Sequence, residues 1–391
     1  VNSVSVDLNS RFGDNVSNQL LVTYSQLDDI RGSTSAKFPF IDILEGYTVD
    51  NSGKITQSIV PYMSAGYELF TWNNGVHNTV INAKDDITIY KGNHKITAGL
   101  SFEYQMADNS YMRNGTGYYR YRSLNDFLNG ATPETVALTY GYDGELNPAA
   151  RVRFNQFGLY LQDEWSVGNN FKLTYGIRFD EIIFNNKDLM RNNAIYEIEY
   201  DGKSVDTGKW PKPKLQISPR IGFNWDVLGN RSLKVRGGTG LFSGRLPLVF
   251  FTNMPTNSGM VQNVVAISTR YTAGVANPDP LLEAFKGDMI TDVDALIAKL
   301  HSLDPKKFPT SISPEDGVKP SQINGIDPDF RMPQVWKSSI ALDYNFPTSF
   351  PFSISGEYIF NKTINGICLK NWNIKDNAGF TTLNGPDKRH I

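Results

Sequence analysis

Apolar and polar positions alternate along much of the chain with a period of two. In Phe171–Asp180, the residues Phe171, Leu173, Tyr175, Ile177 and Phe179 interleave with Lys172, Thr174, Gly176, Arg178 and Asp180. Successive strand side chains point to opposite faces, so the segment predicts a strand with one greasy and one charged face. The preceding stretch repeats the pattern, with Phe157, Leu159, Leu161 and Trp165 set against Gly158, Tyr160, Gln162 and Glu164. Only Val167-Gly-Asn-Asn170 separates the two, which is hairpin chemistry. The unit recurs as Val4–Leu8 with Leu20–Tyr24, and as the Asp85-Asp86 segment with Lys95–Glu103. Two further copies are Asn224–Asp226 with Lys234–Gly238, and Ile340–Tyr344 with Phe352–Phe360. Five hairpins, or about ten strands, are expected.

The connections between hairpins are long, near 28–76, 106–151, 186–213 and 243–331, whereas those within hairpins are tight. Loops beyond about 12–15 residues are uncommon in compact domains. Strict alternation of tight and long connections is the topology of an outer-membrane barrel. The predicted fold is therefore all-β: an antiparallel transmembrane β-barrel, partial at about ten strands, with short periplasmic turns and long outer loops. Two loop segments read as helices. Thr291-Asp-Val-Asp294 caps a run with Val293, Leu296, Ile297, Leu300 and Leu303 at helical spacing, and Ser123 caps a shorter one through Leu124, Phe127 and Leu128 to Gly130.

The charged face of such strands cannot meet hydrocarbon, where an arginine near the midplane costs roughly 2–4 kcal/mol. Lys172, Arg178 and Asp180 therefore line an interior, and the Phe/Leu/Tyr/Ile face meets acyl chains. Trp165, Phe171, Trp225, Trp336 and Tyr344 lie near strand ends, where amphipathic rings suit the membrane interface. Asp85 and Asp163 fall on the otherwise apolar face, and both are expected near turns at headgroup level.

Composition narrows the function. Of 391 residues, Lys and Arg number 38 and Asp and Glu 40, a net charge of −2 that lacks the basic surplus of a nucleic-acid binder. One cysteine, Cys368, excludes an internal disulfide framework. Mean hydropathy is −0.35, and no run of about 18 apolar residues is present, which excludes a helical membrane protein but not a barrel. Gly237-Gly-Thr-Gly240 sits within strand alternation rather than between a strand and a helix, so it reads as space inside a barrel and not as a phosphate loop. No nucleophile motif such as G-x-S-x-G occurs, and neither Asp327 with Asp329 nor Asp288, Asp292 and Asp294 matches an EF-hand. No enzyme activity, catalytic residue, metal or cofactor is expected.

Phe157-Gly-Leu-Tyr-Leu-Gln-Asp-Glu-Trp165, followed by Leu173-Thr-Tyr-Gly-Ile-Arg-Phe-Asp180, resembles the barrel of TonB-dependent receptors. Ser218–Trp225, Arg236–Pro247 and Asp329–Trp336 sharpen the likeness to the Oar-like branch common in Bacteroidetes. The resemblance covers nearly the whole chain. It implies an outer-membrane receptor of a Gram-negative bacterium, taking up a bulky or scarce extracellular ligand with energy from the TonB-ExbB-ExbD complex, and in contact with lipid and lipopolysaccharide. The family barrel has 22 strands and an N-terminal plug; residues 1–391 are expected to be an interior barrel fragment without the plug, ending at Pro386–Ile391 short of a terminal aromatic strand. A passive porin-like or structural barrel, and a secreted soluble β-rich binding protein, are the alternatives.

Candidate ligand contacts are Tyr111, Arg113, Tyr118, Tyr119, Arg120, Tyr121 and Arg122, where tyrosine and arginine interleave in an outer loop. Arg245, at the opening of the longest connection, is a further candidate, with a salt bridge to loop or plug carboxylates as its plainer role.

Overall fold

The computed structural model describes residues 1–52, 54–57, 60–200, 202–272 and 275–373, so Pro386–Ile391 lie outside the described residues. Ten strands form one sheet: β1 (Asn2–Phe12), β2 (Val16–Ile30), β3 (Asn74–Lys91), β4 (His94–Tyr111), β5 (Ala150–Val167), β6 (Phe171–Phe184), β7 (Gln216–Asp226), β8 (Leu233–Ser243), β9 (Gln334–Asn345) and β10 (Ser353–Asn365). They pair antiparallel in chain order, matching the five hairpins read from alternation. Among the described residues β1 and β10 each have a neighbour on one side only. The tight turn after β3 is Gly92-Asn93, and Gly92 takes φ 57°, a left-handed conformation that suits glycine.

Register sorts the two faces. Leu159 on β5 pairs with Leu100 on β4 and Phe179 on β6, and Leu161 pairs with Ala98 and Ile177. This face stays uncovered: Leu159 is 52% exposed, Leu100 59% and Ile340 53%. So broad an apolar surface suits acyl chains rather than water. The opposite face carries Gly158, Tyr160, Arg178 and Asp180, of which Tyr160 and Asp180 are buried.

The two acidic exceptions separate. Asp163 lies near the turn, where its Oδ2 accepts from Tyr175 Oη at 2.8 Å and pairs with His94 Nδ1 at 2.7 Å. Asp85 sits deeper, six residues short of the β3 terminus at Lys91 and register-paired with Leu20 and Leu100. That is about 20 Å along the strand from the turn, so the headgroup expectation does not hold there. Asn18 Nδ2 on β2 donates to its Oδ1 at 2.6 Å, which replaces part of the water the carboxylate loses.

The long connections gather at one end and fold on themselves. Five of their strands form a second sheet in the order Gln262–Ser268, Thr135–Gly141, Tyr118–Tyr121, Phe40–Leu44 and Pro61–Ala65, and the Phe40–Leu44 and Tyr118–Tyr121 pair is parallel. Both expected helices form. Ser123 Oγ accepts from Asp126 N ahead of α1 (Leu124–Leu128), and Asp292 Oδ1 accepts from Ala295 N ahead of a helix at Val293–Leu303. That longer helix buries Leu296 and Leu300 against Tyr119, Leu138 and Ile267 of the second sheet.

Replacing Leu159 by arginine puts a charge on the lipid face at a cost of about 2–4 kcal/mol. Outer-membrane recovery of the heat-modifiable form of the intact protein should fall sharply. Gln162→Arg, on the polar face, should leave recovery near the parent level.

Candidate functional site

The inner face of the sheet ends in a polar cleft beneath a lid. The lid is built around α2 (Val249–Thr256), whose Phe251 and Met254 are fully buried against Val152 and Phe154 of β5. Trp210, from another connection, and Met332, at the far end of the same one, complete this apolar cluster. Phe184 and Phe251 rings lie 4.9 Å apart.

Below the lid, Gly244 N donates to Pro333 O at 2.8 Å, and this turn drops Arg245 onto the inner wall. One Arg245 Nη1 donates to Glu103 Oε1 at 2.6 Å and Gln105 Oε1 at 3.2 Å, and its Nη2 donates to Gln156 Oε1. Its guanidinium also lies over the Phe154 ring, 5.3 Å from the centroid. A planar fork serves here where a lysine would not, because it spans two strands at once. Beside it Arg178 holds Asp180 in a fork at 2.8 and 2.7 Å, and donates to Ser101 Oγ at 3.0 Å. Gly158 makes room for that group: a Cβ there would sit 2.3 Å from Ser101 Oγ and 2.5 Å from Arg178 Nη2. The resulting cleft, about 380 Å³, is lined by Gln156, Arg178, Asp180, Gln216, Ser243 and Arg245. Further down, Lys84 pairs with Asp86 at 2.6 Å and Tyr160 donates to the same carboxylate, while Arg236 pairs with Asp343 at 3.1 Å. Opposite charges stand in pairs along the wall, so it offers a solute hydrogen bonds without a strong field of either sign.

The family described as outer membrane beta barrel domain matches residues 1–390. The chain belongs to that family. It resides in the outer membrane, which overturns the secreted soluble alternative. Three solved structures are similar at low identity. The outer membrane transporter YddB from Escherichia coli is 13% identical, with a TM-score of 0.48 over 92% of this chain and 34% of that one. The copper transporter OprC is 12% identical, at 0.42 over 91% and 38%. The ferric-catecholate import receptor Fiu from E. coli K12 is 12% identical, at 0.35 over 88% and 38%. The chain thus spans little more than a third of the length of these proteins. No curated protein matches its sequence.

In this outer-membrane barrel the Tyr/Arg segment is mostly interior. Tyr119 is 0% exposed and its hydroxyl donates to Ile290 O at 3.0 Å. Tyr118 donates to Asp42 Oδ2 at 2.7 Å, and Arg120 Nε donates to Tyr118 Oη at 2.9 Å. Tyr121 packs edge-on to Phe127 at 5.3 Å. Burial pushes the Tyr118, Tyr119 and Tyr121 phenols above their ordinary value. Reading these three rings as ligand contacts is corrected by their packing: they are the core of the loop body. Arg122 is half-buried, with its guanidinium over the Tyr47 and Tyr271 rings. Burial, followed by the Glu134 hydrogen bond, pushes the Tyr271 phenol up to about 12. Tyr111 and Arg113 remain at the surface, both against Phe70. Arg245 does not join them: it meets β4 at Gln105, six residues and about 20 Å from Tyr111. The Arg245 partners Glu103, Gln105 and Gln156 escaped sequence reasoning, although each falls on a polar position of its strand.

The connection that carries Trp210 to the lid is clasped by Arg191, which donates to Asp206 at 2.9 and 2.6 Å. Burial pushes Asp206 up, but the Arg191 fork, the Gly208 amide and Lys209 outweigh it and hold the carboxyl below its ordinary 3.8. A depressed carboxylate stabilises above its unfolded value and is lost as pH falls through the folded one. Pepsin cleavage within 186–213 should therefore rise only as pH drops below 3.8, whereas Asp206→Asn should be cut readily at higher pH.

Tyr119→Ala should destabilise the loop body by roughly 3–5 kcal/mol, as for other large buried aromatics. Tyr119→Phe, which loses only the hydrogen bond to Ile290, should cost about 0.5–1.5 kcal/mol. Protease resistance of the loops in the intact protein separates the two.

Proposed function

We propose that residues 1–391 form part of the barrel wall and outer mouth of an Oar-like TonB-dependent receptor that imports a bulky or scarce ligand. The observation that carries this reading is the polar, ion-paired inner wall with the apolar cluster around Phe251 packed on it next to Arg245. A polar passage suits a hydrophilic cargo, and a packed lid over it has to be moved by something that supplies work. In the receptor reading, TonB-ExbB-ExbD supplies that work through a plug segment belonging to the rest of the protein. The long connections face the cell exterior, and the tight turns face the periplasm. Further strands complete the wall beyond β1 and β10, whose free edges would otherwise invite pairing with other chains. Tyr111 and Arg113, exposed on the loop body, are the surviving ligand contacts from the Tyr/Arg segment, and Arg245 is a gating residue whose ion pair with Glu103 holds the lid down. No covalent chemistry is involved.

A passive porin-like barrel is the competing reading. In cells carrying the intact receptor, uptake of its ligand should cease when the proton gradient is collapsed or when TonB is deleted, while surface binding persists. Uptake that continues under both treatments would favour the passive pore.

A further inference from the structure

Away from the polar cleft, three of the long connections enclose a second cavity of about 570 Å³ in the loop body, a size that suits a small organic ligand. Its interior is apolar, with Trp72, Met112, Leu146 and Ile297 in the walls. The Trp72 ring is held firmly. Gly115 approaches it so closely that a Cβ would lie 2.5 Å from Cδ1, and Tyr67 packs edge-on at 6.2 Å. The other feature is charge. Glu145, Asp292 and Asp294 stand on the rim, facing a single cation, Lys37. Asp292 spends one oxygen on Ala295 N and Glu145 one on Asn147 N, but among the described residues none of the three makes an ion pair. The Lys37 ammonium lies 3.8 Å above the centre of the Trp72 ring. A cation over an indole face is drawn by the ring quadrupole, so the platform that would receive a ligand's positive charge is occupied by a side chain on an exposed loop.

We infer that this cavity binds a hydrophobic organic cation. The aryl or alkyl body seats on Trp72 and Met112, and the ammonium takes the place of Lys37 beside the carboxylate rim. An anion of the same shape would meet a rim carrying three carboxylates against one ammonium and is rejected. The inference rests on the receptor reading only in placing the loop body on the outside of the cell.

The test uses the intact receptor in detergent, with two probes that share a benzyl group and differ in charge: L-phenylalaninamide, a cation, and N-acetyl-L-phenylalanine, an anion. Saturation-transfer NMR should show saturable binding of the first and none of the second. Asp294→Asn combined with Glu145→Gln changes only exposed side chains and should weaken L-phenylalaninamide about two- to thirtyfold, the sum of two exposed charge contacts. Ala298→Phe, which fills the cavity from the exposed side of its helix, should abolish binding. Equal binding of both probes, no binding of either, or cation binding indifferent to both variants would overturn the assignment. Because the measurement needs no energy source, its failure leaves energised uptake untouched, and a failure of energised uptake leaves the cavity assignment standing.

Discussion

Hydrocarbon offers a backbone amide no partner, so a strand that crosses the membrane must find every hydrogen bond in its neighbours. The continuous antiparallel ladder meets that demand for β2 to β9 and, among the described residues, for one side of β1 and of β10, and the rest of the molecule follows from it. Because side chains alternate across the ladder, the same strands present Leu159 and Leu100 to lipid and Arg178 and Asp180 to the interior. The inner charges can be carried because they are paired. Arg178 grips Asp180, Lys84 grips Asp86 and Arg236 grips Asp343, each on adjacent or same-strand positions that the register brings together.

Above the membrane the problem is different. Water solvates loose backbone, so long connections have no obligation to form a sheet, yet these do. Residues Tyr119, Leu138 and Ile267 come from three separate strands and are each fully buried in one core with Leu296 and Leu300. That core turns three connections into a body with fixed surfaces, which is what a cavity requires. Its polar atoms are handled as in any interior: the Asp42 carboxylate accepts from both Tyr118 and Ser64. A separate apolar cluster around Phe251 seats two of the connections on the ladder, where the inner face of β5 changes from Tyr160 and Gln156 to Phe154 and Val152.

The Tyr/Arg segment shows how far composition carries. Interleaved tyrosine and arginine describe a contact surface and a sheet core equally well, since both use rings with a polar tip. Tyr119 is interior because Ile290 and Leu296, some 170 residues further on, close over it. Nothing local to residues 111–122 reports that closure. Arg245 is similar: its position in the chain marks the start of a connection, but its partners Gln156 and Glu103 lie three and four strands away in the sheet. Asp85 gives the converse lesson. Its face was legible from parity, while its depth depended on the true length of β3, which runs on to Lys91.

What the sequence determined by itself is the ladder: ten strands, their pairing order, and which side of each meets lipid. Period-two alternation and glycine-bearing turns are local signals, and in a meander each strand pairs with the next, so local information suffices. The capped helices at 124–128 and 293–303 were readable for the same reason. The tertiary structure alone decided the second sheet, the lid over the polar cleft and the cavity at Trp72. Its strands are short, their spatial order departs from chain order, and one pair is parallel, so their partners are chosen by packing across long stretches of chain rather than by any neighbouring turn.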